Sequence, residues 1–169
     1  MDPSEKTSLW HQFGAAIDML ENAITACPEN LWGDRSRRPE YWYLAYHTLF
    51  FLDCYLSDTF EGFAPPAPYT LSEFDPSGPM PERVYSKAEL LDYLEHGRRK
   101  CRARIDSLTD EMAGRPCTFG SIQCGVVELL MYNMRHVQHH AAQLNLILRQ
   151  TIDSAPGWVS KTKRPLLGE

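Results

Sequence analysis

The sequence has no run approaching about eighteen uninterrupted apolar residues, no CxxC pair and no excess of positive charge. Each lack removes a class of protein. Without a long apolar run, no membrane-spanning helix is expected. A formal net charge of -5 gives no general attraction for nucleic acid or for an anionic membrane surface. The five cysteines, Cys27, Cys54, Cys101, Cys117 and Cys124, are odd in number and widely spaced. That argues against a disulfide framework or a structural thiolate zinc site, and each cysteine reads as a small buried side chain. The opening stretch MDPSEKTSLWHQFG lacks the basic region and apolar run of a signal peptide, so a cytoplasmic location is the expectation.

What is present is an ordinary globular composition, 43% hydrophobic and 23% charged, over 169 residues. One domain covering 1–169 is expected. Phe13, Ile17, Leu20 and Ile24 recur at helical spacing, predicting a helix over about 9–26 with Ser8 as its cap and Cys27-Pro28 as its end. A second helix is expected over about 40–60, with Pro39 in its first turn; YWYLAYHTLFFLDCYLSDTF is apolar almost all round, as a buried bundle helix is. Residues 61–85 hold six prolines and form an irregular connection, whose aromatics, with Leu71 and Met80, are expected to pack over the body. Ser86 and Glu89 form a capping box for a third helix over about 87–112, and its basic run HGRRKCRAR reads as a solvated face. A fourth helix is expected over about 121–150, followed by a tail with little structure of its own. Four helical patterns without a strand series predict an all-α four-helix bundle, the long connection permitting a crossing topology.

The chemistry-bearing residues gather near the end of the chain. Three of six histidines, His136, His139 and His140, lie in RHVQHHAAQL. On a helix, His136 and His140 are one turn apart and share the apolar stripe with Asn133 and Leu144. His139 lies about 100° round from His140. Two neighbouring imidazoles suit one metal ion, but HVQHH lacks the glutamate of the HExxH protease motif. A third ligand must come from another helix. His47, midway along the apolar second segment, is favoured over His11, near a terminus, and His96, beside Gly97. Imidazole ligands admit zinc, nickel or iron. Around them, Tyr43, Glu128, Tyr132, Asn133 and Gln143 lie at helical spacings that allow each to orient a ligand or touch a substrate.

The histidine within YLAYHTLFFL and the segment RHVQHHAAQL together resemble the DinB/YfiT-like family of metal-binding four-helix bundles, a resemblance running from the first helix through the fourth. It implies that His47, His136 and His140 are the metal ligands and that His139 is the family's extra histidine before the last one. Where relatives carry Arg-Gly before the following glutamine, this chain has Ala141-Ala142-Gln143. The resemblance also implies a divalent metal, zinc or nickel ahead of iron. The activity it suggests is transfer of a low-molecular-weight thiol to an electrophile. The alternatives are a non-catalytic or stress-associated metal-binding protein and a metal-dependent hydrolase; no catalytic residue is singled out. No nucleic-acid or membrane partner is expected, and the aromatic excess provides apolar surface for a homodimer.

Overall fold

The first helix starts earlier than its apolar stripe because its cap lies upstream. In the computed structural model, which describes residues 1–57, 59–78 and 80–166, Asp2 accepts from the Ser4 amide at 2.7 Å and Glu5 reaches back to the Asp2 amide at 2.9 Å. With Pro3 following, this capping box opens α1 (Pro3–Ala26). Ser8 is therefore not the cap; its hydroxyl donates to the Ser4 carbonyl inside the helix. Cys27 ends α1 as expected, and a single turn, α2 (Glu29–Trp32), follows.

Helix α3 (Tyr41–Tyr55) is capped by Glu40, so Pro39 precedes the cap instead of opening the first turn. The helix stops five residues short of the expected end. There the Asp53 carbonyl accepts from the Lys100 ammonium at 2.9 Å as well as from the Leu56 amide. The connection after it is irregular, with one 3-10 turn, Leu71–Phe74. Phe63, Tyr69, Phe74 and Tyr85 pack against the body, whereas Leu71 and Met80 are exposed, contrary to expectation. The Ser86–Glu89 capping box opens α4 (Lys87–Asp106) as expected. This helix ends before residue 112 because Thr109 caps a separate short helix, α5 (Asp110–Gly114).

The fourth expected helix starts later than 121. Residues before it form an antiparallel hairpin, β1 (Pro116–Phe119) and β2 (Ile122–Gly125), turning at Gly120-Ser121. Gly120 has φ +60°, a left-handed conformation that favours glycine and suits the first central position of a II′ hairpin turn. Helix α6 (Val126–Ile152) then runs to the end of the bundle.

The fold is predominantly α-helical. Helix α1 packs on α4 and α6, and α3 packs on the same two helices, so α1 and α3 lie diagonally across the bundle. The long connection thus joins neighbours, α3 and α4; the crossings occur at the links from α1 to α3 and from α4 to α6. Trp10, Phe13, Ile17 and Leu20 from α1 meet Trp42, Tyr46, Leu49 and Phe50 from α3 and Leu144 and Leu148 from α6 in one core. Each large side chain fully withdrawn from water contributes about 1.5–3 kcal/mol before entropy is counted. No helix among the described residues is long and apolar enough to cross a membrane.

Two polar segments turn inward. Within the basic run of α4, Arg98 is buried, binding Asp18 at 2.5 Å and Glu21 at 2.6 Å on α1. Lys100 reaches Asp53 at 2.5 Å on α3. The run is therefore not wholly a solvated face; two of its cations tie α4 to its neighbours. The tail lacks regular structure but docks on α1. The Thr162 amide donates to the His11 carbonyl at 3.0 Å, and the Trp10 indole donates to the Arg164 carbonyl at 2.7 Å. Gly14 permits this approach, since a Cβ there would meet Thr162 Cγ2 at 2.5 Å.

Candidate metal centre

The seam between α3 and α6 brings three imidazoles together. His136 and His140, one turn apart on α6, have ring centroids separated by 4.5 Å. His47, midway along α3, stands 5.5 Å from His136 and 5.0 Å from His140. One nitrogen from each ring lies within 4.8 Å of those of the other two. Imidazole nitrogens about 2.0–2.1 Å from a tetrahedral ion stand roughly 3.4 Å apart, so small ring rotations suffice to close this set on one ion.

The hydrogen bonds decide which nitrogens face inward. A carboxylate only accepts, so His47 Nδ1–H donates to Glu73 Oε2 at 2.6 Å. His140 Nδ1–H donates to Gln143 Oε1 at 2.7 Å. Both contacts leave Nε2 with a lone pair free to bind. A metal-ligating histidine commonly uses this arrangement, in which the second nitrogen is held by an oxygen. The Nδ1 of His136 is buried and has no hydrogen-bond partner among the described residues. Burial, reinforced by the neighbouring histidines, pushes the His136 imidazole down to about 3. Burial also lowers His140. These rings stay neutral at pH 7 and keep their lone pairs. A cluster of three imidazoles, with a carboxylate one step behind one of them, suits a divalent cation.

The setting is an aromatic rim rather than a closed core. The side chain of His47 is 29% exposed. Phe51 lies 4.9 Å from His47 and 5.8 Å from His136, and Tyr55 lies 6.1 Å from His136. A cavity of about 480 Å³ beside it is lined by Tyr55, Cys117 and Leu129, but by none of the three histidines.

The other candidate residues separate. Gln143 touches His140, as above. Tyr43 lies beside His47, ring centroids 6.4 Å apart, and its phenol is pushed up to about 12 by burial and by the Glu73 carboxylate. Asn133 is buried, but its amide donates to the Leu52 carbonyl at 3.0 Å and so pins α6 to α3. Tyr132 is exposed and meets Tyr55 edge-on at 5.3 Å. Glu128 is exposed in the first turn of α6, where its charge acts on Cys124. His139 is exposed, its ring 5.1 Å from that of His140, and it is not part of the three-histidine set. His96 pairs with Asp53 at 3.5 Å, away from the cluster.

Glu73 is the residue that sequence patterning overlooks. Its side chain is only 3% exposed, Oε2 is on His47, and Oε1 has no partner among the described residues. The 3-10 turn of the proline-rich connection carries it inward, anchored by Phe74 against Phe50 at 5.0 Å. A lone acid between Leu71 and Phe74 is the only signal it leaves in the sequence.

The sequence profile of the DinB superfamily matches residues 12–144, and the chain belongs to that superfamily. A comparison with curated proteins found no match.

Proposed function

We propose that this member of the DinB superfamily is a single-domain, metal-dependent enzyme that transfers a low-molecular-weight thiol to an electrophile. In this reading His47, His136 and His140 hold one divalent ion, zinc or nickel ahead of iron. The observation that carries it is the convergence of three imidazoles at a partly exposed rim, with no fourth protein ligand in the set among the described residues. Three protein ligands leave a position for water or substrate, as catalytic sites do, whereas structural sites are closed by four.

When bound, the ion supplies Lewis acidity that lowers the pKa of an incoming thiol. The protein's own groups prepare for this. Glu73 holds the Nδ1 proton of His47 and fixes that ring's tautomer. Gln143 does the same for His140. The Tyr43 phenol keeps its proton through the neutral range and faces the Glu73 carboxylate. Phe51 and Tyr55 set their rings against His136 on the α3 side of the site.

The test is metal analysis of protein purified without a metal-affinity tag, followed by turnover assays with a panel of low-molecular-weight thiols and electrophiles. One ion per chain and thiol-dependent turnover, both lost in His136→Ala, are the expected results. One ion without turnover under any thiol supports the non-catalytic metal-binding reading instead. Turnover of esters or amides without thiol supports the hydrolase.

A further inference from the structure

The hairpin before α6 carries two of the five cysteines directly opposite each other. Cys117 on β1 is the register partner of Cys124 on β2, and their sulfurs are 3.9 Å apart. Opposed residues of an antiparallel pair have Cα atoms about 4.5–5.5 Å apart, inside the range of about 4.4–6.8 Å that a disulfide spans. Both side chains therefore project to the same face at bridging distance. Closing the sulfurs to a bond of about 2.05 Å asks for side-chain rotation, with no shift of one strand along the other.

The remaining cysteines have no such geometry. Cys27, just past α1, Cys54 on α3 and Cys101 on α4 are buried in the core, whereas Cys117 and Cys124 are half-buried. Cys117 also lines the cavity of about 480 Å³ between the hairpin, the end of α3 and the start of α6, which gives a small reagent access to it.

We propose that Cys117 and Cys124 are a reversible dithiol–disulfide pair, oxidised by a low-molecular-weight organic disulfide that reaches Cys117 from this cavity. The Cys117 sulfur gives up its proton and attacks one sulfur of the reagent, forming a mixed disulfide and expelling a thiolate, which takes up a proton. Cys124 then loses its proton and attacks the Cys117 sulfur, forming the protein disulfide and expelling the second thiol. Two protein thiols are oxidised and one organic disulfide is reduced to two thiols, so atoms and electrons balance.

The order of attack follows from the surroundings. Cys117 lines the cavity and Cys124 does not, so Cys117 meets the reagent first; burial also pushes the Cys124 thiol up to about 11, which slows its attack. Cys117 already directs its S–H at the Cys124 carbonyl, 3.1 Å away, which holds its sulfur over the opposite strand. This pair is independent of the metal reading, since neither cysteine is among the three clustered ligands.

The full-length chain is incubated natively with excess hydroxyethyl disulfide, quenched with iodoacetamide and mapped by peptide mass spectrometry. The expected product is a Cys117–Cys124 cross-link with the other three cysteines still reduced. In Cys124→Ser the reagent's half stays on Cys117 as a trapped mixed disulfide. In Cys117→Ser, modification of Cys124, which does not line the cavity, is slower than that of Cys117 in Cys124→Ser by at least about tenfold. Circular dichroism checks that each variant is folded, and the wild-type map requires no substitution. Retention of all five thiols by the folded wild type, a cross-link at any other pair, or equal reactivity of the two variants overturns the proposal.

Discussion

His136 and His140 reach the cluster from one continuous helix, whereas the carboxylate behind His47 comes from the most irregular part of the chain. The difference separates two ways of building a site. A helix fixes the relation between side chains one turn apart before any tertiary contact forms. The proline-rich connection imposes no such relation. Glu73 gets its position from the rings beside it: Phe74 sits 5.2 Å from Phe60 and 5.9 Å from Phe63, and the Tyr46 hydroxyl bonds the Thr70 carbonyl at 3.0 Å.

The largest expected effect breaks the helical half. His136→Ala removes one of the three proposed ligands and is expected to leave the protein without stoichiometric metal, read by metal analysis. Saturating ion at about 100 times Kd stabilises the wild type by about 2.7 kcal/mol, and this gain disappears in the variant. A melting temperature that rises equally in both proteins would show that the ion binds elsewhere.

Next comes the irregular half. Glu73→Ala frees the His47 ring to change tautomer and is expected to weaken metal binding by about 10- to 100-fold. Glu73→Gln, which keeps an acceptor oxygen but loses the charge, falls between Glu73→Ala and the wild type. Calorimetric titration checks both, and unchanged affinity in Glu73→Ala means that the connection packs near the site without serving it.

Gln143→Ala tests the same support on the helical side. Gln143 is exposed and uncharged, so the loss is expected to be smaller, under about tenfold. If it exceeds that of Glu73→Ala, the ranking of charged over neutral support is wrong.

The smallest effect concerns the far end of the connection, where Arg83 binds Glu89 at 2.5 Å and Glu89 closes the capping box with Ser86. The Arg83 guanidinium and the Ser86 amide pull the Glu89 carboxyl down from 4.5 to about 2. A carboxyl depressed in the folded state adds stability that is full above its unfolded pKa and fades as pH falls through the folded one. The stability difference between wild type and Glu89→Gln, measured by urea unfolding, is therefore expected to be constant above pH 5 and to shrink between pH 4.5 and 2. A difference that stays flat across that window refutes the assignment.

Several features were legible because their cause is local. The apolar stripe of α1, the Ser86 capping box and the pairing of His136 with His140 all depend on residues within a turn or two. The hairpin was legible too, though the expected fourth helix, starting near 121, took in its second strand. Gly120-Ser121 lies between Pro-Cys-Thr-Phe and Ile-Gln-Cys-Gly, a two-residue turn signal flanked by short segments. The helix expectation failed there because the apolar residues of α6 extend the same pattern backwards. Arg98 was misplaced for another reason: nothing local distinguishes it from Arg99, and only the acids of α1 draw it inward.

The sequence by itself determined a helical bundle with two imidazoles stacked on its last helix, because helical periodicity is a short-range property of the chain. It also offered His47 as their partner, from its place in an apolar segment. Only the tertiary structure decided that His47 stands within 4.8 Å of them, that Glu73 holds its other nitrogen, and that Cys117 faces Cys124. Those relations join residues on different elements, and chain spacing carries no distance information once the backbone has turned back on itself.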